Sequence, residues 1–145
     1  MLGTGELAPE IDYLIHEHGL ANSRRINFLD NPAPLYSLAS GLILSSGFET
    51  IGIVVLEALS MGLSVLATDV GDIRLVLEQC EAGLVVPEIG EPAALELAYE
   101  SWRKDLTFYT AKARQCSAEI RRRFSSETIA EQYADSWERA MTEFA

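Results

Sequence analysis

Short apolar, β-branched runs alternate with longer helical patterns along most of this chain, and that rhythm restricts it to βαβ units around a parallel sheet. The strand candidates are residues 26–29, 42–45, 65–68 and 84–86. Each is short and largely apolar, as a strand covered by helices on both faces should be. Helical patterns occupy 9–18, 35–39, 52–61, 73–78 and 92–102, with Gly19 and Gly62 as stop signals and Pro92 at a first helical position. The alternation then ends in two helices, 105–124 and 127–144, the second preceded by Ser125 and Ser126 as capping candidates. Ile129, Tyr133, Trp137, Met141 and Phe144 form one apolar stripe on that last helix. The expected fold is α/β, a Rossmann-like parallel sheet covered by helices with a C-terminal helical tail. A single domain is expected, 1–102 forming its α/β body and 103–145 the tail.

The 145 residues suffice to bury roughly two thirds of the surface of the unfolded chain. Cys80 and Cys116 are too few for a disulfide framework and lack metal-binding spacing, which points to a reducing, cytoplasmic compartment. No apolar stretch approaches the ~20 residues of a membrane span. The net charge is −11, unevenly spread: residues 1–100 hold three cations against fifteen acids, and residues 101–145 hold eight against seven. Such a body repels phosphate backbones, so nucleic acid is excluded as a partner. Arg121, Arg122 and Arg123 offer either a solvated helix face or a peripheral contact with an anionic membrane surface.

The most informative stretch is 45–61, SSGFETIGIVVLEALSM. It leaves a strand, turns through Gly47 and Gly52, and enters a helix that reads as apolar, and so buried, on nearly every side. Glu57 interrupts that helix. A buried carboxylate without donors costs several kcal/mol, so a partner is required. A pair of sugar hydroxyls meets that need, and so does an unidentified cation. Glu49 and Glu57 lie ~12 Å apart if the intervening segment is helical, about the reach from a ribose across a diphosphate to a hexose. Between them the N–H groups of Gly52, Ile53 and Val54 open a helix, where phosphate oxygens are attracted. The competing assignment makes Glu49 a solvated turn residue.

ETIGIVVLEAL resembles the E-x7-E motif of retaining glycosyltransferases of the group 1 kind, which have the two-domain GT-B fold. LYSLASGLILSS before it, MGLSVLATDVGDIRLVLEQCEAGLVVP after it and FSSETIAEQYADSW near the end are similar to the family's stretches in matching order. The resemblance covers the chain from Gly3 onward. It implies a nucleotide-sugar-binding, donor-side domain in which Glu49 is the catalytic residue, holding a hydroxyl of the transferred sugar. Glu57 would bind the ribose, and the backbone of Ile51, Gly52, Ile53 and Val54 the hexose and diphosphate. Asp30 and Asn31 would lie near the base, with Gly3 and Gly5 in the turn that opens the chain also on the donor side. A hexose would pass from a nucleotide diphosphate donor to an acceptor hydroxyl with retained configuration, without a metal and without a cofactor.

The sequence departs from the family's pattern at Ile51, where phenylalanine is common, at Asp72 for a glycine, and at Leu75 for a glutamate. Arg74, where proline is frequent, would offer the diphosphate a cation. The family's diphosphate-stabilising arginine and lysine, and its acceptor domain, are expected upstream of Met1, which makes this a truncated, donor-side fragment. Weak donor binding and no transfer are expected of the chain alone.

Two other classes fit parts of the sequence. Gly3, Gly5 and Ala8 satisfy G-x-G-x-x-G/A, with Asp30 at the end of the next strand candidate, the pattern of an NAD-type dinucleotide-binding domain of an oxidoreductase. A non-catalytic interaction domain would dock a partner, or a second copy, on the helix bearing Tyr133 and Trp137. His16 and His18 diverge on a helix, lack a third ligand and make no metal site.

Overall fold

A computed structural model describes residues 3–87 and 90–143. The chain forms two compact units, Met1–Pro34 and Leu35–Ala145. In the first, α1 (Ala8–Glu17) begins with a proline in its first turn, which fits because no intrahelical donor is needed there. Arg25 fastens α1 to the following segment through both carboxylate oxygens of Asp12, its Nε donating at 2.8 Å. Residues 26–29 form no strand: Ile26 is an isolated bridge, its carbonyl accepting the Gly3 N–H at 2.9 Å, and Phe28 is exposed. Among the described residues this is one backbone bond, which does not make a ladder, and composition alone did not reveal it.

The second unit contains the sheet. Here β1 (Gly41–Leu44), β2 (Ser64–Thr68) and β3 (Gly83–Val86) run parallel in the order β1-β2-β3. The register pairs Leu42 with Val65 and Leu66 with Leu84. All of β2 is buried, as the central strand of a covered sheet should be. The strands end within one residue of the expected bounds, so the fold class is the one read from the sequence.

Helices α3 (Ile53–Ser60), α4 (Ile73–Cys80), α5 (Pro92–Lys104) and α6 (Leu106–Arg123) cover this sheet. The core gathers Val55, Ala58 and Leu59 of α3, Ile73 and Leu77 of α4, and Ala113 and Ile120 of α6 around Val65 and Ala67. Each buried leucine or valine stabilises the fold by about 1.5–3 kcal/mol relative to exposure. On the other face Trp102 of α5 packs with Leu66 and Val86. A methyl group at Gly41 would approach the Trp102 ring to 2.6 Å, so only glycine fits there.

Before β1 stands the short α2 (Ala33–Leu38), and after α6 comes α7 (Ser126–Glu143). Ser125 caps α7 as expected, its Oγ accepting the Thr128 N–H at 3.1 Å. Tyr133, Trp137 and Met141 of α7 are exposed, whereas Phe144 lies outside the described residues. No helix of the described residues is long and apolar enough to cross a membrane.

Candidate functional site

At the end of β1 the chain turns through 45–52 before entering α3, and side chains and backbone from β2 and the next turn hold this loop. Thr68 Oγ1 donates to the Ser46 carbonyl at 2.6 Å, and the Asp72 N–H donates to the Thr50 carbonyl at 3.0 Å. Gly71 lies directly against the same stretch: with φ at +55°, a methyl group on it would overlap the Thr50 carbonyl oxygen. Gly52, at φ +68°, makes the turn into α3, and a methyl group there would meet Ile73 Cγ1 at 2.9 Å.

Each glutamate of the pair meets a neutral hydroxyl donor among the described residues. Ser46 Oγ donates to Glu49 Oε1 at 2.9 Å, and Tyr36 Oη donates to Glu57 Oε2 at 2.8 Å. Both glutamates are half-buried. A tyrosine of α2 is thus one donor to Glu57. Burial first, then the bond to Glu57, push the Tyr36 phenol well above its usual range, so it remains a donor.

The start of α3 differs from expectation in two ways. The segment from Glu49 to Glu57 is helical only from Ile53, so a helical rise does not measure the carboxylate separation. Nor is the helix buried all round, since Ile53 is 69 % and Val54 37 % exposed, while Val55, Ala58 and Leu59 carry the buried face. Composition showed an apolar helix without showing which face met the core. No side chain caps α3: the Val55 and Leu56 N–H groups close onto the Gly52 carbonyl at 2.8 and 3.3 Å, and those of Ile53 and Val54, the first two of the helix, lie at its positive end. Ile51 is exposed beside it.

Arg74 is committed elsewhere, donating from Nε and Nη2 to Asp69 at 3.0 and 2.6 Å and pairing with Glu78. In the first unit, Gly3 and Gly5 line a hollow of about 380 Å³ together with Ile11 and Arg25. Asp30 and Asn31 are exposed, and Asn31 Oδ1 accepts the Ala33 N–H at 3.0 Å. Four hollows within Leu35–Ala145, of about 370 to 500 Å³, are lined by other residues than the two glutamates. Sequence reasoning missed Tyr36, which lies 21 positions from its partner.

A parallel α/β sheet whose strand leads through a tight turn into a helix start belongs to the class of α/β folds that receive phosphate groups at such turns. Within that class the chain belongs to the glycosyl transferases group 1 family, whose model matches residues 1–105. It is 31 % identical over 93 residues to an alpha-D-kanosaminyltransferase of Streptomyces kanamyceticus, covering 62 % of this chain and 24 % of that protein. It is 29 % identical over 112 residues to an N-acetyl-alpha-D-glucosaminyl L-malate synthase of Bacillus anthracis, covering 75 % and 29 %. The chain thus spans about a quarter of the length of these relatives.

Among solved structures it is similar to sucrose-phosphate synthase from Thermosynechococcus elongatus, with TM-score 0.79 and 25 % identity over 93 % of this chain and 34 % of that one. It also shares the fold of Anabaena HepE in complex with UDP, with TM-score 0.78 and 23 % identity over 95 % and 40 %. These likenesses bear out the expected GT-B relationship for the part covered. The oxidoreductase alternative finds no support in them, and Asp30 does not end a strand as that reading required.

Proposed function

We propose that this chain is the donor-binding part of a retaining glycosyltransferase that moves a hexose from a nucleotide diphosphate to an acceptor hydroxyl. The observation that carries the reading is the pair of carboxylates, each met by a neutral hydroxyl, on the loop and helix that surround the uncapped start of α3. A carboxylate so held keeps acceptor capacity for further O–H donors, which sugars supply in pairs. Glu57 takes the ribose hydroxyls and Glu49 a hydroxyl of the transferred sugar, while the N–H groups of Ile53 and Val54 receive the diphosphate. Ile51 and Gly52 let the donor approach the backbone. The chemistry proceeds without metal or cofactor.

The acidic body binds the anionic donor weakly. Two free thiols, Cys80 and Cys116, suit a cytoplasmic setting. The exposed Tyr133 and Trp137 face of α7 favours self-association of the chain.

The test is calorimetric titration of the chain with UDP-glucose, GDP-mannose, ADP-glucose and NAD. One sugar nucleotide should bind more tightly than NAD, and Glu57→Ala should weaken it roughly ten- to hundredfold, the worth of a hydrogen bond to a charged group. Tighter binding of NAD, or indifference to the substitution, would sink the proposal.

A further inference from the structure

Glu57 lies in the second turn of α3, on the helix whose first turn is open. Its Oε2 takes the Tyr36 hydroxyl at 2.8 Å, and Tyr36 itself packs against the hydrophobic core from α2. A serine or lysine donor in this place would swing about its side-chain torsions. A phenol whose ring is fixed by packing keeps its O–H in one place, and so fixes the plane of the carboxylate it meets. One lone pair of Glu57 is thereby used, and Oε1 keeps its full acceptor capacity.

Two features make this more than a convenient way to satisfy a half-buried acid. A structural acid in the same unit, Asp69, is ion-paired with the guanidinium of Arg74, whereas Glu57 is met by a neutral phenol. The bond also spans two helices that begin on either side of β1, so it registers α2 against the site helix.

We propose that Tyr36 is a positioning residue for Glu57: it aims the carboxylate at a ribose hydroxyl pair and thereby sets the preference for ribose without touching the ligand. The inference rests on the donor-binding role proposed for Glu57. Removing the phenolic oxygen should loosen the carboxylate and cost affinity only for ligands that use it.

The chain, Tyr36→Phe and Glu57→Gln are each titrated calorimetrically with UDP, GDP and ADP and with the 2′,3′-dideoxy form of each nucleotide, after circular dichroism confirms that the variants are folded. The unaltered chain should prefer the ribose form of the base it accepts by roughly tenfold or more, the worth of a charge-assisted hydrogen bond. Tyr36→Phe should lose most of that preference while binding the dideoxy form as the unaltered chain does, a split that general loosening of the fold would not produce. Full ribose preference in Tyr36→Phe, with its loss in Glu57→Gln, overturns the role of Tyr36 and leaves the donor reading standing. Equal binding of ribose and dideoxy forms by the unaltered chain, or binding of none of them, overturns the donor role of Glu57 and this inference with it.

Discussion

The turn from β1 into α3 and the turn from β2 into α4 occupy equivalent places in the sheet, yet they treat their acids in opposite ways. In the second, Asp69 is bound twice by the Arg74 guanidinium, and Glu78 draws on the same cation. In the first, Glu49 and Glu57 have neutral hydroxyls, from Ser46 and Tyr36. An ion pair uses an acid to hold protein to protein. A carboxylate met by one hydroxyl keeps most of its lone pairs open to further donors. The two turns also touch, with Gly71 and Asp72 of the second set against Thr50 of the first, so the ion-paired turn serves as the bed for the open one.

The largest test of that division is Gly71→Ala. Its methyl group would collide with the Thr50 carbonyl and hold a residue with a side chain at φ +55°. A loss of about 3 kcal/mol or more in urea unfolding is expected. An unchanged midpoint would show that the two turns are not packed as described.

A smaller effect is expected at the far end of α4, where burial first and then contact with Cys116 push the Cys80 thiol up to about 12. A thiol whose pKa is raised by folding stabilises the native state fully below the unfolded value. That contribution therefore declines as pH rises from about 9 towards 12. Iodoacetamide at pH 8.5 should modify Cys116 well before Cys80, and equal rates would show that α4 is not seated on α6.

The smallest effect belongs to Arg74→Met. Both side chains of the Asp69 pair are about a third or more exposed, so the loss should stay within about 1 kcal/mol after screening. Sugar-nucleotide affinity should not fall, and a large drop would move Arg74 from scaffold to site.

Much of this was legible from sequence because the signals are local. Strand runs such as 65–68 and stop signals such as Gly62 fixed β2 and α3 to within about a residue, and E-T-I-G-I-V-V-L-E placed the two acids on one turn and helix. What escaped was long-range. Nothing near Glu57 names Tyr36 as its donor, and nothing near Thr50 names Gly71 as the residue beneath it. The expected strand at 26–29 failed for a related reason: its residues suit a strand, but a ladder needs a neighbouring backbone, which the local sequence does not specify. The openness of the first turn of α3 was hidden because Ile53 and Val54 are as apolar as the residues that are buried.

At the opposite end of α3 the guanidinium of Arg121 donates to the Ser60 carbonyl, so α6 clasps the tail of the site helix while Gly52 and Ile73 seat its head. An eight-residue rod secured at both ends would, in the proposed donor site, work as the fixed jaw of a caliper, unable to stretch or slide to suit cargo of another length. Accommodation of a longer or bulkier ligand therefore falls to the other jaw, the loop carrying Glu49, and substitutions that change what fits should be sought in residues 45–51 before the helix.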